Sequence, residues 1–286
     1  MVKDEQRGPV FAGIAGDPLA HSLSPLLHQH WIQALGLNAR YEAWPVEAKA
    51  FAALVQKQFA AKSFVGMNVT LPHKTTALAL ADKTSPAARA AGAANLLVRK
   101  DNALYADNTD IAGFCTPLLQ KRPDTSWPAQ KAVIIGAGGA ARAVLAALKS
   151  LHVRRIVLVN RTDERARMLA AGQGDKIVHC PWKDRHIALE GASILVNASA
   201  AGMHGTMPLD LSPCGLRPGA LVYDLVYSPA QTPLLAAAQA AGLETLGGLS
   251  MLIAQARPSF TAFFGIAPPE RCGARALLQR TLETRP

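Results

Sequence analysis

Residues 131–148, KAVIIGAGGAARAVLAAL, constrain the fold more than any other stretch of the chain. Lys131 to Ile135 read as a buried strand. Gly136 and Gly138 allow a tight turn, and the alanine-rich run that follows suits a long helix. Glycine-rich turns alone are common, but strand, turn and helix in this order open a βαβ unit whose helix N-terminus faces a pyrophosphate with its N–H groups. The pattern predicts dinucleotide binding at Gly136, Ala137, Gly138, Gly139 and Ala140, with Ala141 at the third fingerprint position.

The next strand, RIVLVN, ends at Asn160, where an NAD-binding fold usually carries an acidic residue for the ribose 2′-hydroxyl. Here the chain runs Asn160, Arg161, Thr162 and then Arg165. Guanidinium groups match a 2′-phosphate in charge and shape, so NADP is expected over NAD. Asp163 and Glu164 fall in the first turn of a helix, where acidic side chains are favoured by the helix dipole.

Strand-like and helical runs alternate along the chain, which predicts an α/β protein with mostly parallel sheets. Strands are expected at 10–14, 40–46, 64–69, 94–99, 131–136, 155–160, 176–180, 193–198, 220–226 and 244–247. Helices are expected at 25–35, 47–57, 84–91, 140–151, 164–171 and 232–241. Residues 121–130, KRPDTSWPAQ, read as a linker. A late helical run from Ser250 ends before Pro268 and Pro269, and it could cap the second unit or return to the first.

Half of the 286 residues are apolar, which argues against disorder. The start, MVKDEQRG, lacks the apolar block of a secretory signal, and no run of eighteen apolar residues occurs, so a soluble chain is expected. Cys115, Cys180, Cys214 and Cys272 are widely spaced, which fits a reducing cytoplasm rather than a zinc or redox site. The net charge of +10 is scattered, without a basic run, and points to small anions rather than nucleic acid. His21, His28 and His30 are close in sequence, yet His28 and His30 would sit on different helix faces, so no metal is expected.

Asn68 to Lys74, NVTLPHK, ends the apolar strand that begins at Phe64 with two neutral polar side chains, a proline and a lysine. Pro72 stops the ladder, which sets Lys74 at a strand-to-helix corner. A lone lysine there is ordinarily a solvated one. Downstream, ADNTDIAGF places Asp107, Asn108 and Asp110 just before a helix, and one of them would suffice as an N-cap. Ser24 and Pro25 likewise read as an N-cap and N1 pair, Asn95 as a satisfied core amide and Gln255 as a surface residue. Ser22 has no such duty.

Together these motifs resemble the shikimate dehydrogenase family over nearly the whole chain. HSLSP at 21–25, NVTLPHK at 68–74, DNTD at 107–110, GAGGAAR at 136–142, NRT at 160–162 and LIAQA at 252–256 follow the family's order. The resemblance implies NADPH-dependent, reversible reduction of 3-dehydroshikimate to shikimate in aromatic biosynthesis. It implies Lys74 and Asp110 as the catalytic pair, with Ser22, Ser24, Thr70 and Tyr227 at the substrate carboxylate. Asn95, Asp110 and Gln255 would hold the ring hydroxyls, and Leu225 and Gly248 would join the nucleotide site. Residues 1–115 with 248–286 would form the substrate domain and 116–247 a Rossmann-like NADP domain, the last helix returning to the first domain. A small-molecule substrate, a cytoplasmic monomer or homodimer, and no nucleic-acid or membrane partner are expected.

The chain departs from the family pattern at Leu96, Ala106, Ile111 and Ser250, each near an implied contact. A quinate or broader hydroxy-acid dehydrogenase is therefore kept as an alternative. A non-catalytic NADP-binding regulatory module is disfavoured by Lys74 and Asp110 together, and a folate-linked dehydrogenase by the Ser22 and Ser24 hydroxyls.

Overall fold

The computed structural model describes residues 8–284. The start of MVKDEQRG, read for the absence of a signal, lies largely outside the described residues. In chain order the elements are β1 (Val10–Gly16), α1 (Ser24–Ala34), β2 (Ala39–Pro45), α2 (Phe51–Ala60), β3 (Phe64–Val69), α3 (Lys74–Leu80), β4 (Lys83–Thr84), α4 (Pro86–Ala91), β5 (Leu96–Lys100) and β6 (Ala103–Asp107). Then follow α5 (Asp110–Lys121), β7 (Lys131–Ile135), α6 (Gly139–Ser150), β8 (Arg155–Val159), α7 (Asp163–Ala170), β9 (Ile177–His179), α8 (Arg185–Ala188), β10 (Ile194–Asn197), β11 (Leu221–Asp224), α9 (Pro233–Ala240), β12 (Glu244–Gly247), α10 (Gly248–Phe264) and α11 (Ala274–Thr284). Two compact units result, one of residues 1–109 with 255–286 and one of residues 110–254. Among the described residues no helix is long and apolar enough to cross a membrane.

The first unit carries a six-stranded sheet in the order β2-β1-β3-β5-β6-β4. β1 pairs parallel with β2 and β3, β5 pairs antiparallel with both β3 and β6, and β6 pairs parallel with β4. Gly66 in β3 is required by packing, because a Cβ there would lie 2.6 Å from the Phe263 ring of α10. α4 shows how local chemistry sets an element's ends: the Ser85 hydroxyl accepts from Ala88 N at 3.0 Å, Pro86 fills the first turn, and Gly92 closes the helix at φ 60°.

The second unit is a parallel sheet in the order β12-β11-β10-β7-β8-β9. Alternate residues feed two separate cores. Ala132, Ile134, Ile156 and Leu158 pack with α6, and Val133, Ile135, Val157 and Val159 pack with Leu234, Leu235 and Ala238 of α9. Both sheet faces are thus covered, which is why these strands read as continuous apolar runs. Residues 121–130, expected as a linker, contain a short helical turn and bury Trp127 in the first of these cores.

Candidate active site

In the first unit, β3 delivers Asn68 into a buried polar network. Its Nδ2 donates to the Asn95 carbonyl at 3.2 Å and to Ser259 Oγ at 2.9 Å, and its Oδ1 accepts from the Tyr41 hydroxyl at 2.7 Å. Tyr41 in turn stacks on His28, with centroids 4.0 Å apart. Burial pushes the His28 imidazole down to about 4, so the ring is neutral at pH 7. Asn68 is therefore a structural tie from β3 to Tyr41, Asn95 and Ser259.

The chain then turns at Thr70, whose N–H donates to Ala15 O at 2.9 Å. Gly16 makes room for this turn, since a Cβ on it would sit 2.2 Å from Thr70 Cγ2. Lys74 opens α3, as the strand-to-helix reading anticipated, and is half-buried rather than fully solvated. Its carbonyl accepts from Ala94 N at 2.8 Å, while Asn95 O accepts from Val69 N at 2.8 Å, which brings the Lys74 corner next to Asn95. His73 is locked behind it, stacked on Phe51 at 4.4 Å with Nε2 2.7 Å from Val46 O.

The DNTD segment divides its labour. Asp107 takes the Ser85 hydroxyl and the N–H of Asn108, and Asn108 Nδ2 donates to Ala93 O at 2.8 Å. Thr109 N–H donates to Asn95 Oδ1 at 2.7 Å, and Asn95 Nδ2 donates to Thr109 Oγ1 at 2.9 Å and Gln255 Oε1 at 3.3 Å. So Asn95 and Gln255 are brought together. Gln255 is half-buried rather than a plain surface residue. Asp110, which begins α5, and Tyr227 belong to the second unit, where Asp110 is only 5% exposed.

At the other serines one expectation fails. Ser24 is the first residue of α1 and Leu23 occupies the N-cap position without a side-chain cap bond, so N-capping does not account for Ser24. The one bond seen between the pair runs from Ser24 N to Ser22 Oγ at 3.3 Å. Tyr41, Thr109 and Ser259 were not singled out from sequence. Ser259 lies four residues after Gln255, a spacing that puts both on one helix face and could have flagged it. Leu96 and Ala106 are buried side chains of the hairpin, and Ile111 packs against the core of the second unit.

In the second unit the residues fit a dinucleotide. Gly136 has φ 120° and a Cβ there would meet Ala198 O at 2.8 Å, so glycine is required by the turn itself. Gly138 differs: it is exposed, and a Cβ on it would meet nothing within 4 Å, leaving open space over the start of α6. That helix has no side-chain N-cap, so its first N–H groups remain available to an anion. Ala141 is fully buried, consistent with close helix-to-sheet packing.

Asn160 Nδ2 braces the following turn through Thr162 O at 2.9 Å. Arg161, Thr162 and Arg165 are exposed, and among the described residues neither arginine joins an ion pair with Asp or Glu. Asp163 Oδ1 accepts from Trp182 N at 2.8 Å, which gives that carboxylate a structural task. Gly248 permits close contact with the segment after β11, since a Cβ would lie 2.1 Å from Leu225 O. Among the described residues no three His, Cys, Asp or Glu side chains gather as a metal site.

Residues 14–97 match the shikimate dehydrogenase substrate binding domain, and residues 118–205 match shikimate / quinate 5-dehydrogenase. A shikimate dehydrogenase (NADP(+)) from Methylocella silvestris is 44% identical over 272 residues, 95% of this chain and 96% of that protein. The crystal structure of shikimate 5-dehydrogenase from Thermus thermophilus in complex with NADP(H) and shikimate aligns with TM-score 0.81 and 33% identity over 96% of this chain and 99% of that one. The ligand-free 5-ketofructose reductase of a Gluconobacter strain aligns with TM-score 0.75 and 30% identity, over 96% and 98% of the two chains. The chain belongs to the shikimate dehydrogenase family.

Proposed function

We propose that this protein catalyses the reversible NADPH-dependent reduction of 3-dehydroshikimate to shikimate. The observation that carries the reading is the network at Asn95, Thr109 and Gln255, which sets two amide side chains beside the strand end that leads to Thr70 and Lys74. Such a surface suits a ring bearing several hydroxyls, because an amide oxygen already holding one bond keeps a second lone pair for a hydroxyl proton and an amide nitrogen donates to a hydroxyl oxygen. Ser22, Ser24, Thr70 and Tyr227 are assigned to the carboxylate, and Asn95, Asp110 and Gln255 to the hydroxyls.

The nucleotide loop would hold NADPH, whose chemistry there would be hydride donation to the ring ketone carbon. Lys74 polarises the ketone oxygen and gives it a proton as the C–O bond becomes an alcohol, the work of a positioned general acid. Asp110 holds the neighbouring hydroxyl and takes part in the proton balance. The nucleotide is assigned to Gly136, Ala137, Gly138, Gly139 and Ala140 for the pyrophosphate. Arg161, Thr162 and Arg165, on the turn braced by Asn160, would hold the 2′-phosphate, and Leu225 and Gly248 are assigned to the rest of the nucleotide site. We assign substrate binding to residues 1–115 with 248–286 and NADP binding to 116–247, in a cytoplasmic monomer or homodimer.

A relative that reduces 5-ketofructose shows that this fold alone does not fix the substrate. Quinate is the pertinent rival. It carries an extra hydroxyl on the carbon that bears the carboxylate, where small hydroxyl side chains leave either a clash or an unpaired polar group, worth roughly 1–3 kcal/mol. The buried Leu96 makes added polarity near the ring no more welcome. Steady-state oxidation with NADP is expected to give shikimate at least about ten-fold the kcat/KM of quinate. Equal or better use of quinate overturns this choice.

A further inference from the structure

We propose that Ser259 is a positioning residue for the substrate: its hydroxyl joins the amide of Asn68 to Thr109 Oγ1 and so steadies the Asn95–Thr109–Gln255 cluster that orients Gln255 toward the ring. The inference rests on the substrate reading above.

Donors and acceptors set the orientation of each amide in the cluster. A backbone N–H can only donate, so the bond from Thr109 N at 2.7 Å fixes Oδ1 of Asn95 on that side and Nδ2 on the other. Nδ2 must then find acceptors, which are Thr109 Oγ1 at 2.9 Å and the Gln255 amide oxygen at 3.3 Å. Gln255 therefore turns Oε1 into the network and sets Nε2 on the opposite edge. The same reasoning applies at Asn68. The Asn95 carbonyl can only accept, so the Asn68 atom 3.2 Å away is Nδ2, and its second bond runs to Ser259 Oγ at 2.9 Å.

Ser259 thus accepts from Asn68 and has one proton to give. It lies 3.2 Å from both Gln255 O and Thr109 Oγ1. Thr109 Oγ1 in turn lies 3.4 Å from Gln255 Oε1. Ser259 is fully buried, so water does not replace these bonds when the hydroxyl is removed. The loss falls on the orientation of the Gln255 amide, which meets the ring, and not on the nucleotide loop.

The test is steady-state kinetics of wild type and Ser259→Ala with shikimate and NADP, well below the melting temperature. Expected is a rise in the shikimate KM of roughly three- to thirty-fold, with the NADP KM within about two-fold. An unchanged shikimate KM in a folded variant overturns the proposal, as does an equal rise in both KM values, which would mark a general structural role. Should Ser259→Ala not fold, Thr109→Val removes the adjoining hydroxyl at similar volume and is judged by the same split. A wild type without turnover on shikimate overturns the substrate reading, and this inference with it.

Discussion

At the C-terminal ends of two neighbouring parallel strands, Asn197 Nδ2 donates to Asp224 Oδ1 at 2.9 Å. Each partner also pins the loop after its own strand. Asn197 Oδ1 accepts from Ser199 N at 3.1 Å, and Asp224 accepts from Val226 N at 3.0 Å and Thr232 Oγ1 at 2.7 Å. These loops leave the sheet edge where parallel α/β folds place their ligands.

Burial pushes the Asp224 carboxyl up to about 6, against the opposing pull of its hydrogen bonds from Thr232, Val226 and Asn197. Its ordinary value is 3.8, so between about pH 4 and 6 the folded chain holds a proton that the unfolded chain has released. The stability from this group is therefore complete below that range and is lost as pH rises through about 6. Urea unfolding of wild type and Asp224→Asn across this range should show wild type losing ground to the variant as pH rises. A difference that does not change with pH contradicts the assignment.

Gly136 and Gly138 should fail in opposite ways. Gly136→Ala forces a side chain onto a φ of 120° and within 2.8 Å of Ala198 O, so it should destabilise the fold by about 3 kcal/mol. Gly138→Ala has ordinary dihedrals and open space, so the melting temperature should hold while the NADP KM rises at least about ten-fold. Thermal melts beside NADP kinetics separate the two, and a Gly138→Ala enzyme with normal NADP use removes that position from the nucleotide site.

Arg161→Ala with Arg165→Ala should cut the preference for NADP over NAD by roughly ten-fold or more, because two guanidinium groups able to meet the 2′-phosphate are lost. Melting temperature should be little changed, since both side chains are exposed. The ratio of kcat/KM values for the two cofactors is the readout. An unchanged ratio places 2′-phosphate recognition elsewhere.

Legibility in the sequence followed the range of the interactions. KAVII and its glycine turn could be read because strand, turn and helix are encoded by neighbours, and β3 begins and ends at the anticipated residues Phe64 and Val69. The two-residue β4 and the hairpin partner β6 gave no apolar run long enough to register, and α11 lay beyond the prolines at which the helical reading stopped. Within the candidate site, Lys74 and Asp110 stood out through their motifs. The tie from Asn68 to Ser259 spans 191 residues and exists only after the fold brings α10 to β3, so no local pattern announces it. Ser24 misled for the converse reason: Ser-Pro is a strong local cap signal, yet the helix starts one residue early.

The most direct test is NADPH consumption with 3-dehydroshikimate by wild type and Lys74→Ala, paired with NADPH binding to each. Wild type should consume NADPH in step with shikimate formed. Lys74→Ala should lower turnover by roughly a hundred-fold to ten-thousand-fold, while NADPH affinity stays within about two-fold. No substrate-dependent consumption by wild type, or near-normal turnover in a folded Lys74→Ala enzyme, contradicts the account.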